Sequence, residues 1–185
     1  MKLLGLTSRA RTTLGPRILH RHLSIPAVQH IWHNGSLIRW EDANVHILST
    51  AVQFGASLFE GMRCYSTPRG PAIVHLDGHL RRLVDSCKMY RIKVPYSNDE
   101  LARACFDTVH ANGLESCYIR PMVLRGYGAA GMDGIGSPIE CYIPAWSWGA
   151  YLGAESFESG IDCCTSSWSR PAANTFPGMA KAAGN

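Results

Sequence analysis

The stretch Ile31-Trp32-His33-Asn34-Gly35-Ser36-Leu37-Ile38-Arg39-Trp40 holds two short apolar runs on either side of an Asn-Gly pair. Asn-Gly between apolar runs is the strongest short-range signal for a β-hairpin, because both residues accept the positive φ angles of a tight turn. A second pair of strands is predicted at Met62–Ser66 and Pro71–Leu76, around the turn Thr67–Gly70. Ordered structure is therefore predicted from His30 onward.

Three helices are predicted between and after these strands. The first runs from about Leu48 to Glu60. The second has Asp77 as its N-cap and runs to about Tyr90, with apolar residues at i, i+3, i+4 and i+7, namely Leu80, Leu83, Val84 and Cys87. The third opens with a capping-box pattern at Ser97–Glu100 and closes at Asn112-Gly113.

The second half of the chain returns to strands. Tyr118–Leu124 and Ile139–Trp146 are rich in β-branched and aromatic residues, and a Gly-rich loop, Arg125–Ser137, lies between them. Ile161–Ser167 is predicted to be a strand of a new unit. Because helices and strands mix without regular βαβ alternation, the order favours an α+β fold over a doubly wound one.

The excess of basic residues is confined to one end of the chain. The formal net charge is +4, yet residues 1–40 contain no Asp or Glu and the remainder is close to neutral, so the charge does not mark a nucleic-acid-binding face. The basic leader, residues 1–28, fits either a mitochondrial presequence or a disordered or misassigned start. The default expectation is a cytoplasmic protein, and the Arg-rich leader keeps a mitochondrial location as the alternative. No apolar stretch approaches the roughly 18 residues of a membrane span.

Cysteine and histidine spacing indicates neither a disulfide framework nor a metal site. The seven cysteines form no C-x-x-C pair, and their odd number leaves at least one unpaired. That pattern suits a reducing compartment better than a secreted scaffold. The eight histidines show no zinc-ligand spacing, so no metal is expected.

Lys181 is the first candidate for chemistry, because it stands among small residues in Ala180-Lys181-Ala182-Ala183-Gly184. A nucleophilic lysine must be partly desolvated so that its amine can be neutral, and small neighbours let a flat cofactor approach. The alternative is a surface lysine at an Ala-rich helix start.

Two arginines are further candidates. Arg82 lies three residues after His79 on the predicted helix and can point inward, where it could hold a phosphate. Arg81 is rotated about 100° away and is expected in solvent, and both arginines could equally be solvated. Arg120 stands in an otherwise apolar strand and needs a partner, which could be a structural carboxylate or an acidic ligand.

Aromatic residues end one of the predicted strands, in Trp146-Ser147-Trp148-Gly149-Ala150-Tyr151. Such residues usually line a core or an interface. They can also form the wall of a substrate pocket, with the tyrosine hydroxyl as its polar group.

Taken in order, these segments resemble the branched-chain amino acid aminotransferases of the fold-type IV (class IV) group of pyridoxal-phosphate enzymes. The resemblance covers about residues 29–185. It rests on segments beginning at Ile31, Trp40, Leu58, His79, Tyr118, Trp148, Ser167 and Asn174, among them Phe59-Glu60-Gly61-Met62-Arg63 and Tyr118-Ile119-Arg120-Pro121. Other class IV enzymes, namely D-amino-acid aminotransferases and aminodeoxychorismate lyases, share the lysine and the phosphate arginine but normally lack that pair of motifs.

The resemblance implies roles for particular residues. Lys181 would form the Schiff base with pyridoxal 5'-phosphate and move the proton at the substrate Cα, and Arg82 would bind the cofactor phosphate. Arg120 would engage the side-chain carboxylate of glutamate. The pocket wall would be formed by Phe59, Gly61, Tyr118, Trp148 and Tyr151.

The resemblance implies a protein of two domains that acts as a homo-oligomer. Residues 29–155 correspond to the small N-terminal α+β domain and residues 156–185 to the start of the large cofactor domain, including its first strand. The resemblance implies that the substrates are small amino acids and 2-oxo acids, and that the protein binds neither nucleic acid nor a membrane. Because family members run to about 300 residues, we expect the chain to be truncated and inactive alone, and the alternative is a non-catalytic small domain that only dimerises.

Two departures from the family pattern concern the neighbouring subunit. Phe54 stands where close relatives often carry a tyrosine donated across the dimer interface. The loop 126–137 also differs from the best-known bacterial members, in which it reaches toward the partner's pocket.

Overall fold

The computed structural model describes residues 25–128, 131, 133–149 and 156–184. Its strands are β1 (His30–His33), β2 (Ser36–Arg39), β3 (Ser57–Phe59), β4 (Met62–Tyr65), β5 (Ala72–Ile73), β6 (Cys117–Ile119), β7 (Met122–Arg125), β8 (Ile139–Ile143) and β9 (Ala145–Trp146). Its helices are α1 (Thr50–Phe54), α2 (Leu76–Met89), α3 (Asn98–Ala111) and α4 (Ser156–Ser159), with a 3-10 turn at Trp40–Asp42. The predicted leader, apart from residues 25–28, lies outside the described residues.

The strands form two antiparallel sheets. A five-stranded sheet has the order β2-β1-β8-β7-β3, and a four-stranded sheet has the order β5-β4-β6-β9. The α+β prediction is therefore confirmed. No helix in these described ranges is both long enough and apolar enough to cross a membrane.

The Asn-Gly hairpin is present as predicted. β1 pairs with β2 with His33 opposite Ser36, and the two turn residues have positive φ angles of 44° at Asn34 and 97° at Gly35. The Asn34 side chain also accepts a hydrogen bond from the backbone N–H of Cys141 at 2.9 Å. The turn residue therefore fixes the hairpin to β8 as well as reversing the chain.

The predicted strands Tyr118–Leu124 and Ile139–Trp146 are each wrong as single strands. The first divides at Arg120-Pro121 into β6 and β7, and the second divides at Pro144 into β8 and β9, so that each chain segment passes from one sheet to the other. Proline has no backbone N–H to donate to a sheet, which interrupts the pairing at these positions. The two crossings are joined by a hydrogen bond from Arg120 N to Pro144 O at 3.0 Å. Arg120 therefore lies at the junction of the sheets.

Helices α2 and α3 both pack on the core, and α2 does so with the predicted face. Leu80, Leu83 and Cys87 of α2 are buried, and Val84 packs against them. The capping box that opens α3 is confirmed, with Ser97 Oγ accepting from Glu100 N and Glu100 Oε2 accepting from Ser97 N. The start of α2 differs from the prediction, because His75 with φ 51° precedes it and Asp77 lies in its first turn.

The predicted helix Leu48–Glu60 is wrong over most of its length. Helix α1 ends at Phe54, because Gly55 adopts the left-handed conformation at φ 68° and stops helical hydrogen bonding. Ser57–Phe59 then pairs with β7 as an edge strand. Tertiary pairing has overridden a helical pattern here.

The predicted strand Ile161–Ser167 is also absent, and its residues are exposed and irregular. A strand requires a neighbouring strand to complete its hydrogen bonds, and none lies beside this segment in the described part of the chain. The proposed division into residues 29–155 and 156–185 stays a prediction.

Candidate active site

The backbone around Lys181 is held by two elements that are distant in sequence. On one side, Phe59 N donates to Lys181 O at 3.1 Å and Ala183 N donates to Ser57 O at 2.9 Å, so this segment pairs with β3. On the other side, Lys181 N donates to the hydroxyl of Ser86 on α2 at 3.1 Å. The flanking residues Ala180 and Ala182 are buried, and their small side chains permit this close approach.

The Lys181 side chain lines a cavity of about 400 Å³. Its Nζ lies 4.7 Å from the centre of the Phe59 ring. No carboxylate among the described residues lies within ion-pair distance of this amine. The amine therefore faces an aromatic ring and not a carboxylate. The other lining residues are Arg82, Arg170, Gly178, Met179, Ala180 and Ala182.

Arg82 lies on the same cavity and is paired with a buried carboxylate. Its Nε and Nη2 both donate to Glu60, with Nη2 2.6 Å from Oε2. The Glu60 side chain is completely buried, whereas that of Arg82 is 55% exposed. Arg82 therefore reaches from the surface of α2 to the rim of the cavity, while Arg81 is exposed as predicted.

The Glu60 carboxylate is stabilised in its charged form. Burial alone would raise its pKa, but the hydrogen bonds from Arg82 and from His79 outweigh burial and hold the pKa of Glu60 below its ordinary value. The same contact raises the pKa of the Arg82 guanidinium. Glu60 and Arg82 are consequently both ionised at neutral pH.

Glu60 is the residue of this site that sequence reasoning missed. Its partners His79 and Arg82 are 19 and 22 residues away, so no local spacing indicates the contact. The available signal is an acidic residue directly following the apolar Leu58-Phe59, since a carboxylate in an apolar stretch requires buried partners.

The predicted pocket-wall residues form an aromatic cluster beside this cavity. The Tyr118 ring lies 5.1 Å from Trp146 and 4.4 Å from Trp148 between ring centres. The Arg120 guanidinium carbon lies between 5.1 and 5.5 Å from the ring centres of Phe59, Tyr118 and Trp146. Phe59 thus contacts both predicted cations, Lys181 and Arg120.

Arg120 has no carboxylate partner in the described ranges, so a structural ion pair finds no support there. Its Nη2 donates to Tyr118 Oη at a long 3.4 Å, and its Nε is buried without a hydrogen-bond partner. A buried, unpaired donor is costly, and an acidic ligand would satisfy it. Arg120 lines a second cavity of about 520 Å³ rather than the one that holds Lys181 and Arg82. The structure therefore does not place Arg120 on the cavity of Lys181 and Arg82, and the link between them is the Phe59 ring, which contacts both cations.

Gly61 makes room for the tyrosine of this cluster. A Cβ atom at Gly61 would lie only 1.9 Å from Tyr118 Oη. Gly61 is therefore required by the close approach of the Tyr118 side chain to the backbone. Tyr151, predicted in the same wall, lies outside the described residues.

The two positions that depart from the family pattern lie close together. Phe54 is 54% exposed at the end of α1. The loop base is tied to the same helix, since Thr50 Oγ1 and Ser137 Oγ are 3.0 Å apart. Arg125 closes the loop by donating to Gly134 O at 2.7 Å. Their role toward a second subunit stays a prediction.

No group of three or more metal-ligating side chains occurs among the described residues. The cationic groups of the candidate site are the Lys181 amine and the guanidinium groups of Arg82, Arg120 and Arg170.

The sequence and the fold both match known proteins. The family described as Amino-transferase class IV matches residues 57–184. A branched-chain-amino-acid aminotransferase of Escherichia coli K12 is 48% identical over 157 residues, which are 84% of this chain and 51% of the relative. The enzyme of the same name from Pseudomonas aeruginosa is 43% identical over 154 residues, 83% of this chain and 50% of the relative.

Solved structures give the same result. A crystal structure of the Escherichia coli branched-chain amino acid aminotransferase has a TM-score of 0.82 at 48% identity, covering 85% of this chain and 52% of its own. That of the T.th. branched-chain amino acid aminotransferase with pyridoxamine 5'-phosphate has a TM-score of 0.81 at 42% identity, covering 87% and 53%. The chain spans about half the length of the curated relatives that it matches.

Proposed function

We propose, for a chain that belongs to the class IV aminotransferase family, that the protein exchanges amino groups between the branched-chain L-amino acids Leu, Ile and Val and 2-oxoglutarate, with pyridoxal 5'-phosphate as cofactor. The observation that carries this proposal is the placement of Lys181 and Arg82 on one cavity, with the Lys181 backbone fixed by β3 and α2. The names of the relatives support the substrate class.

The residues of the first cavity fit a phosphorylated pyridine cofactor. A volume of about 400 Å³ is within the range of small-molecule sites. Arg82 supplies the cation for a phosphate at the rim, and Lys181 supplies the amine. Gly178, Ala180 and Ala182 leave space for a flat ring. When bound, the cofactor serves as an electron sink for the charge that develops at the substrate Cα.

The protein's own part in this reaction is binding and proton transfer. Lys181 Nζ would accept the proton from the substrate Cα and would then donate it to the cofactor. The amine must be neutral when it accepts the proton. The Phe59 ring, whose centre lies 4.7 Å from Nζ, packs against one side of the amine.

The aromatic cluster around Arg120 would discriminate between the two kinds of substrate. The rings of Tyr118, Trp146 and Trp148 offer an apolar wall for an aliphatic side chain. The Arg120 guanidinium, with its unpaired Nε, would bind the side-chain carboxylate of glutamate or 2-oxoglutarate. A single cation within an aromatic wall allows both substrates to bind in turn.

A half-reaction tests the substrate class. The chain is loaded with pyridoxal phosphate and mixed with L-leucine, L-isoleucine, L-valine or D-alanine, and the absorbance of the bound cofactor is followed. Because the chain spans about half the length of the curated relatives, the assay is run on the 185-residue chain and on a protein completed with the remaining half of a relative. We expect the branched-chain L-amino acids, and not D-alanine, to convert the spectrum of the completed protein, and we expect Lys181→Ala to abolish that conversion. The 185-residue chain alone should give no conversion. Conversion by D-alanine alone would favour another class IV activity, such as that of a D-amino-acid aminotransferase.

The protein is further proposed to act as a homo-oligomer, as the resemblance implies. Exposed apolar side chains on α1 and the adjoining loop support this, since Val52, Phe54, Tyr127 and Ile135 are all more than half exposed. The test is light scattering of the wild type and of Phe54→Asp. A particle that is monomeric in both proteins would contradict the proposal.

A further inference from the structure

We infer that Glu60, with His79, is a positioning residue for Arg82 and sets the affinity of the site for the phosphate of its cofactor. This inference rests on the proposed function, because it takes Arg82 as the group that meets the phosphate. Glu60 itself is buried beneath Arg82 and is not among the residues that line the cavity.

The carboxylate of Glu60 stands in a place fixed by the backbone. Glu60 N donates to Pro121 O at 2.9 Å, and the next residue, Gly61, donates its N–H to Oε2 at 3.3 Å. The side chain has no exposure to solvent. Because the surrounding β3 and β4 are paired to other strands, the carboxylate cannot follow a moving arginine.

The geometry of the contact determines which part of the guanidinium stays available. Glu60 accepts from Nε and Nη2, which is one edge of the planar group. A guanidinium carries five N–H donors in a rigid plane, so occupation of that edge leaves the Nη1–Nη2 edge for a second anion. No acceptor contacts Nη1 in the part of the chain that the structure describes. One edge is thus held by the protein while the other can bind a phosphate.

His79 completes the arrangement. Its Nδ1 lies 2.9 Å from Glu60 Oε2 and 3.5 Å from Arg82 Nη2. A carboxylate only accepts, so the ring must donate from Nδ1. His79 and Arg82 are three residues apart on α2 and therefore share a face of the helix. The imidazole holds the second oxygen of Glu60 in the position that Arg82 Nη2 requires.

Two opposing effects of Glu60 on an anion can be separated by their sign. As a negative charge near the cavity, Glu60 would weaken phosphate binding, and its neutralisation would then tighten it. As a positioning group, it keeps an otherwise half-exposed arginine in the binding orientation, and its loss would weaken phosphate binding. Supporting residues of this kind commonly change ligand affinity by about 10- to 100-fold at metal sites, and we expect a similar range here.

The experiment compares Glu60→Gln with wild type in the full 185-residue chain, using pyridoxal phosphate, pyridoxal and inorganic phosphate as probes. Binding is measured from the absorbance of the bound aldehyde and, for phosphate, by competition. We expect Glu60→Gln to weaken the binding of pyridoxal phosphate by about 10- to 100-fold. The binding of pyridoxal should be unchanged, because pyridoxal lacks the phosphate. Unchanged or tighter phosphate binding, or an equal loss for both aldehydes, would overturn the inference.

Two further comparisons separate positioning from a general loss of structure. In the Arg82→Ala background, Glu60→Gln should have no additional effect on pyridoxal phosphate, because the residue acts through Arg82. His79→Asn keeps a donor near the position of Nδ1, so this variant should bind pyridoxal phosphate almost as tightly as wild type. His79→Ala should weaken that binding as Glu60→Gln does. Additive losses in the double variant would contradict the inference.

Failure of the proposed function would give a different result. If wild type and Arg82→Ala bind pyridoxal phosphate no more tightly than pyridoxal, Arg82 is not the phosphate residue. A preference for pyridoxal phosphate that depends on Arg82 but not on Glu60 would refute only the positioning role.

Discussion

Replacing Gly61 with alanine should displace the Tyr118 side chain and destabilise the aromatic half of the site. The new Cβ would lie 1.9 Å from Tyr118 Oη and 2.7 Å from Cζ, whereas ordinary contact begins near 3.4 Å. The tip of the tyrosine must therefore move by about 1.5 Å. The backbone of Gly61 does not have a positive φ, so the effect comes from the collision and not from backbone strain.

The size of the effect follows from what surrounds the ring. Tyr118 packs against Trp146 and Trp148, and its strand β6 is paired on both sides by β4 and β9. Overpacking costs about 1–3 kcal/mol in a well-packed core, and because Tyr118 and Trp148 are half-buried we expect the lower part of that range. For a chain of this size, each kcal/mol lowers the melting temperature by about 2–4 °C.

The assay is thermal unfolding followed by near-ultraviolet circular dichroism, which reports the tryptophan environment. The matched control is Gly78→Ala, because a Cβ at Gly78 in α2 meets no atom within 4 Å. Removal of a glycine from the first turn of this helix should make that control neutral or more stable by up to about 1 kcal/mol. Equal stability of the two variants, with an unchanged near-ultraviolet spectrum for Gly61→Ala, would refute this reasoning.

Three other predictions concern the remaining parts of the site and the core. Ser86→Ala removes the hydroxyl that accepts from Lys181 N at 3.1 Å, so the Lys181 amide should exchange with deuterium faster, whereas the control Ser36→Ala should leave its exchange unchanged. The pKa of Glu60 is lowered in the fold, so its stabilisation is present above the pKa of the unfolded chain and is lost as pH falls through the folded value. The unfolding midpoint of wild type should therefore approach that of Glu60→Gln as the pH falls below the ordinary pKa of a glutamate carboxyl, and a difference independent of pH would contradict this. At pH 8 a thiol reagent should modify the exposed Cys163 and Cys164 in the native chain. It should not modify the four thiols whose pKa burial raises to about 12, which are those of Cys87, Cys105, Cys117 and Cys141. Fast modification of these four thiols would contradict a closed core.

The parts of the fold that were predicted correctly are those that depend on interactions between residues close in sequence. Asn34-Gly35 specifies a turn through its own φ angles, and Ser97 with Glu100 specifies a helix start through hydrogen bonds within four residues. Neither signal depends on the rest of the molecule, and both are present in the structure.

The errors occur where distant partners decide the outcome. The run Tyr118–Leu124 is continuously apolar apart from Arg120-Pro121, and hydrophobic pattern does not show which of two sheets each half joins. Ser57–Phe59 has the pattern of a helix end but pairs with β7, which lies more than 60 residues away. Pairing energies of this kind are not visible in a local window.

The candidate site was predicted unevenly for the same reason. Lys181, Arg82 and Phe59 meet at one cavity, and Arg120 joins them through the Phe59 ring. Glu60, which orders Arg82, was missed because its contacts are made through the tertiary fold. The hydrogen bond from Lys181 N to Ser86 Oγ joins residues that are 95 positions apart, and no spacing in the sequence indicates it.

The most direct measurement is the position at which pyridoxal phosphate attaches to the chain. The chain has four lysines, Lys2, Lys88, Lys93 and Lys181, so a borohydride-reduced adduct can be assigned to one of them by peptide mass spectrometry. We predict that the label lies on Lys181, that pyridoxal labels it less efficiently, and that Arg82→Ala removes the difference. Labelling spread evenly over the four lysines, or equal labelling by the two aldehydes in wild type, would contradict the account.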